Sequence, residues 1–191
     1  VASLKAIQNE LDQQVTQQVG QINAYGKEIA ELNEKIAAIE VAGAPANDQR
    51  DRRDLLVKKI SEMGNVRVNE NGNGMVSVTL GNSGILVSGN SYNNITSGRV
   101  DNLNGREGIR NAIFIQPAVG ADPMNITKEI KNGSLGGIFE IRDVVINDLL
   151  DDVDQLAFSF TNEVNNIHRQ GYDAFSNEGG DLFAPLKSKI N

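Results

Sequence analysis

A single apolar row dominates the C-terminal third of the chain: Phe139, Ile146, Val153, Phe160 and Ile167 recur every seven residues. Leu135, Leu149 and Leu156 fill most of a companion row, which Arg142 and Glu163 interrupt. This spacing places one seam along one helix of about 35 residues, ~50 Å long at 1.5 Å per residue. Gly171 is expected to end the helix in the left-handed conformation common one residue past a helix terminus. A helix of this length cannot bury its seam against itself, so a partner helix is required.

The N-terminal stretch offers one. From Ala2 to about Glu40, Val15, Ile22, Ile29 and Ile36 form one row, and Leu4, Leu11, Tyr25, Leu32 and Ile39 the other. Polar Gln8 and Gln18 fall in the seam, and only Gly20 and Gly26 resist a helix, at about 1 kcal/mol each relative to Ala. β-Branched residues in one row and mostly Leu in the other is coiled-coil patterning. Gly43 and Pro45 stop this helix, and Asn47 or Asp48 is placed to cap a second, DQRDRRDLLVKKISEM. In it Asp48/Arg52 and Asp54/Lys58 stand at the supportive i,i+4 spacing. Arg50, Arg52 and Arg53 alternate with Asp48, Asp51 and Asp54, which predicts a solvated, self-neutralised face rather than a phosphate site.

From Asn65 the period changes from helical to two. Val66 and Val68, then Met75 or Val76, Val78 and Leu80, then Ile85 and Val87 alternate with polar residues between turns rich in Asn and Gly. That predicts a meander of short antiparallel strands. Weaker strands are expected at Ala112 to Ile115 and Ile126 to Ile130, with DNLNGREG as loop and Ser134 as the cap of the long helix. The expected fold class is α+β: long antiparallel helices forming a rod-like bundle or coiled coil, with a small antiparallel β-rich insertion. The expected division is a discontinuous helical rod at 1–63 and 132–175, an insertion at 64–131, and a loop at 176–191 leading to an outer domain. Because position 1 is Val and the pattern starts in mid-helix, a fragment of a longer protein is expected.

Composition narrows the function classes. The net charge of −7 argues against nucleic acid or an anionic membrane as partner. There is no cysteine, hence no disulfide or thiolate chemistry, and no apolar run approaches the ~18 residues of a membrane span. His168, the one histidine, sits near a helix C-terminus where the dipole favours its charge. Asp151, Asp152 and Asp154 point different ways on a helix. DAFSNEGGD departs from a calcium loop at Phe175 and Glu178, and GSLGG lacks the Lys-Ser/Thr of a P-loop. No catalytic constellation, cofactor site or metal site emerges, which predicts a structural protein and no enzyme.

Three phrases in order carry a resemblance. Asp51, Arg53 and Leu56 fit a D-x-R-D-x-L helix. Gly133, Leu135, Gly136, Gly137 and Arg142 fit a G-x-L-G-G-hydrophobic-hydrophobic-x-x-R turn into a long helix. Asn165, His168, Gly171, Tyr172, Asp173, Gly180 and Phe183 fit an N-x-x-H-x-x-G-Y-D ending. Together, from roughly Ile22 to Phe183, they resemble the bacterial flagellar hook-associated protein 1 family.

The resemblance implies a non-enzymatic axial protein, exported through the flagellar type III apparatus to an extracellular position between hook and filament. Implied partners are the hook protein, the second junction protein and copies of the chain itself, with any export chaperone binding outside this stretch. The phrases G-Y-D and S-L-G-G speak against flagellin or the next junction protein. The alternative is a coiled-coil adhesin or phage-tail-like module with a β head, which predicts a trimer where the junction reading predicts a monomer. A peptidoglycan hydrolase would need a carboxylate pair in a cleft, which the spacing does not supply. If the seams are core, Phe160→Ala should cost ~3–5 kcal/mol.

Overall fold

The computed structural model describes residues 1–101, 108–116 and 122–186. Helix α1 (Ala2–Val41) is 40 residues long, so it extends ~60 Å. Helix α2 (Asn47–Met63) follows after a short turn. Among the described residues seven strands come next: β1 (Val66–Glu70), β2 (Val76–Leu80), β3 (Gly84–Ser88), β4 (Ser91–Tyr92), β5 (Ile95–Asp101), β6 (Ile109–Ile115) and β7 (Met124–Asn125). They form two antiparallel sheets, ordered β1-β2-β3-β4 and β5-β6-β7. After a 3-10 turn at Thr127–Glu129, one continuous helical path runs as α3 (Gly133–Glu140), a π turn (Ile141–Val145) and α4 (Ile146–Arg169). The fold is α+β.

The alternating pattern of β2 buries Val76, Val78 and Leu80 and leaves Ser77 and Thr79 half-buried. Its pairing with β1 is regular from Val66 opposite Leu80 to Glu70 opposite Val76, while a bulge between Val78 and Thr79 shifts the pairing with β3. One apolar core joins all layers: Val15, Ile22 and Ile29 of α1, Leu56 and Ile60 of α2, Leu80 and Leu86 of the first sheet, Ile113 and Ile115 of the second, and Leu135 and Phe139 of α3.

The row on α1 is therefore covered largely by the sheets and α2, not by a second long helix alone. Asn23 exchanges two hydrogen bonds with the backbone of Ile95. Buried Asn33 donates to the carbonyls of Val76 and Gly89 and accepts from the Val76 N–H. A Cβ at Gly26 would sit 3.1 Å from Leu86 Cγ. Gly26 thus marks a close approach of α1 to β3.

Several local expectations are corrected. Ala46, not Asn47 or Asp48, holds the cap position of α2, with no side-chain cap; Asp48 in the first turn still suits the helix dipole. Ser134 is inside α3, with its hydroxyl on Gln18 Oε1 at 2.6 Å, and Asn132 precedes the helix. Gly133 takes the left-handed φ of +72° and packs on the Met63 backbone, where a side chain would clash. Gly171 is not left-handed; the helix closes by bonds from the Gln170 and Gly171 N–H groups to the carbonyls of Ile167 and His168.

Ile126 to Ile130 is mostly the 3-10 turn rather than a strand, because Thr127 turns its hydroxyl to the Ile113 N–H and Glu129 bonds the β2–β3 turn. Strand β5 was not anticipated, and most of DNLNGREG lies outside the described residues.

The expected solvated face of α2 holds for Arg52, Asp48, Asp51 and Asp54, which are exposed, and is corrected at Arg53, which is buried. Arg50 bridges Glu40 and Glu70 at 2.6 and 2.7 Å, and Arg52 reaches Glu28 of α1. Arg53 is buried, donating to Asn33 Oδ1 and the Gly74 carbonyl. All three tie α2 to α1, at Glu40, Glu28 and Asn33, and Arg50 and Arg53 also reach Glu70 and the Gly74 carbonyl.

Candidate functional site

The path of α3 and α4 beside α1 decides which apolar residues remain open. Gln18 meets Ser134, and Gln8 donates to the Arg142 carbonyl and to Asn147 Oδ1, both at 3.0 Å. The helices therefore run antiparallel. Seven residues precede Gln8, about 10 Å of helix, whereas α4 continues beyond Asn147 to Arg169, about 33 Å. Most of α4 has no α1 beside it.

The nine residues of the predicted rows divide accordingly. Val15, Ile22, Ile29 and Ile36 on α1, and Phe139 and Ile146 on the long helix, are buried. Val153, Phe160 and Ile167 are 38%, 59% and 62% exposed, and Leu149 and Leu156 are also open, so the expectation that these close the seam within the chain is corrected. The result is an apolar stripe along α4. It is bordered by Asp148, Asp151, Asp152, Asp154 and Glu163, with no Lys or Arg between Arg142 and Arg169. Among the described residues no helix is long and apolar enough to cross a membrane.

The end of α4 carries a folded-back loop. Asn165 exchanges two hydrogen bonds with the Phe183 backbone, at 2.8 and 2.9 Å, and the Phe160 and Phe183 rings lie 6.0 Å apart. His168 Nδ1 pairs with the Gly180 carbonyl at 2.6 Å, and Arg169 with Asp181. Asp173 accepts from the N–H groups of Phe175 and Asn177 and from the Asn177 side chain. These bonds, led by the Asn177 side chain, hold its carboxyl below the usual range. The clamp leaves Tyr172 and Phe175 exposed. The roles are positional: His168, Gly171 and Asp173 shape a loop, and among the described residues no reacting pair is assembled here.

The other motif residues are dispersed. Asp51 is exposed on α2, Arg53 is buried under it, and Tyr172 bridges Glu178. A Cβ at Gly136 would lie 2.5 Å from the Lys131 carbonyl carbon, whereas one at Gly137 would meet nothing within 4 Å. Close helix entry thus requires the first glycine of the pair.

Arg142 is fully buried. Its guanidinium makes paired bonds to Asp143, each 2.7 Å, and further bonds to Asp12 Oδ1 and the Asn111 carbonyl. Burial opposes its charge, but the bonds and charges of Asp143 and Asp12 outweigh that and raise its pKa. The sequence marks Arg142 as an interruption of a row and as a residue of the family phrase, but nothing local marks Asn33 or Asp12 as a polar partner within the fold. The signal available was the polar set Gln8, Asp12 and Arg142 at seam or near-seam positions, which a buried network would explain.

Comparison with known proteins agrees with this architecture. The family model for the flagellar hook-associated protein FlgK helical domain matches residues 1–183. Flagellar hook-associated protein 1 of Salmonella typhimurium is 32% identical over 170 residues, covering 87% of this chain and 30% of that protein. Its Bacillus subtilis counterpart is 28% identical over 205 residues, covering 95% of this chain and 39% of its own length. The solved structure of the flagellar hook junction protein FlgK from Burkholderia pseudomallei superposes with a TM-score of 0.80 at 28% identity, over 96% of this chain and 32% of that one. The chain spans about a third of the length of the relatives it matches. On the match across residues 1–183, the chain belongs to the flagellar hook-associated protein FlgK helical domain family.

Proposed function

We propose that this chain is a structural segment of the bacterial flagellar axis and works, without catalysis, in the junction between hook and filament. The match of residues 1–183 to the FlgK helical domain carries the reading. The apolar stripe on α4 supports it, since a helix open along about 33 Å suits assembly with further helices. In this reading α1 and the α3–α4 path act as a rod-like element that sets subunit height along the axis. The β-rich segment 64–131 contacts neighbouring subunits. The partners are the hook protein, the second junction protein and further copies of the chain. The site of action is extracellular, reached through the flagellar export apparatus.

Deletion of the encoding gene should leave cells with hooks but no filaments by electron microscopy, and unpolymerised flagellin in the medium by gel. The intact gene should restore filaments, and the Leu156→Glu, Phe160→Glu double variant should not. Normal filaments on the deleted strain would refute the junction role.

A further inference from the structure

Within the continuous helix, Ile146 donates its N–H to the Ile141 carbonyl, five residues back. In a regular α-helix that donor would go to Arg142. The Arg142 carbonyl accepts instead from Gln8 Nε2 on α1, at 3.0 Å. The same nitrogen donates to Asn147 Oδ1, and Asn147 Nδ2 donates to the Asp143 carbonyl at 2.9 Å. Gln8 Oε1 takes a bond from Arg110 on β6. Gln8 is 2% exposed and occupies an apolar-row position, where Leu would fill the seam but could not donate. A polar residue at such a position specifies register at a cost in packing.

We propose that Gln8 holds the π turn open as a register device, with Gln8 and Arg142 as positioning residues for everything downstream. A π turn accommodates one extra residue in the helix. If it closed into regular helix, Ile146 would reclaim the Arg142 carbonyl. All of α4 would then rotate by about 100° and advance by ~1.5 Å. The phase in which Val153, Leu156 and Phe160 leave the body is therefore set from α1, by a bond to a backbone carbonyl. This inference concerns the chain alone and does not depend on the junction role.

The chain has no cysteine, so two spin labels can be placed without interference. Glu34→Cys on α1 is paired with Ala157→Cys or with Ser159→Cys, two exposed positions roughly 200° apart around α4. Pulsed EPR then gives two distances. In a Gln8→Leu variant the labelled tips should move around the helix axis by roughly 8 Å, given a helix about 11 Å wide, and the two distances should change unequally. Deleting Val144, an exposed residue of the π turn, removes the extra residue and should leave both distances as in the parent. In that background Gln8→Leu should fold and be silent. A folded Gln8→Leu variant with both parental distances would overturn the proposal, as would a Val144 deletion that shifts them. So would a Gln8→Leu change that prevents folding in both backgrounds.

Discussion

At the scale of single residues, space around a side chain decides more than propensity does. Gly20 and Gly26 carry the same helix-propensity cost, yet a Cβ at Gly20 meets nothing within 4 Å while one at Gly26 presses on buried Leu86. Gly20→Ala should therefore raise stability by ~1 kcal/mol, the usual helix-propensity gain. Gly26→Ala should gain less or destabilise, because Leu86 has no open space to move into. Urea unfolding of both variants checks this, and equal gains would mean that α1 is not seated on β3 as described. The buried polar residues follow the same logic. Asn33 and Arg53 bond one another and the backbone of Val76 and Gly74, which a one-dimensional pattern cannot display because their partners are distant in sequence.

At the scale of elements, the long C-terminal helix reads correctly as a helix and incorrectly as a closed seam. Phe139 is buried in the common core, whereas Phe160 is 59% exposed and contacts the Phe183 ring. Phe139→Ala should cost ~3–5 kcal/mol, as for a core aromatic. Phe160→Ala should cost only about 1 kcal/mol, the scale of one aromatic pair. Thermal melts of the two variants measure the difference, and equal losses would place Phe160 in a core. The π turn contributes to the contrast, since the heptad count treats all residues alike while the turn accommodates one extra. The strands show the opposite case. β2 alternates cleanly because only one of its faces is buried, and its period was plain in the sequence.

At the scale of the whole molecule, a few carboxylates join segments far apart in the chain. Glu129 accepts from the Ser83 hydroxyl and from the N–H groups of Asn82 and Ser83. It thereby pins the segment before α3 to the β2–β3 turn, and the Ser83 hydroxyl leads in lowering its pKa. A lowered folded-state pKa stabilises fully above the unfolded value, ~4.3 for Glu. That contribution is lost as pH falls through the folded value. The melting temperature should thus decline as pH drops below about 4, and Glu129→Gln should make the decline shallower. An unchanged slope would remove Glu129 from the linkage.

Helices α1, α2 and the α3–α4 path, the strands with clean alternation, the overall α+β class and the family phrases were legible from residue order, because each is a local periodicity or a local string. What covers each face was not. The sheets took the α1 row, α4 ran past its neighbour, and of the arginines of α2 Arg53 alone turned fully inward, to Asn33 and the Gly74 carbonyl. Burial is a property of what lies across a gap in space, and that depends on how segments a hundred residues apart are brought together.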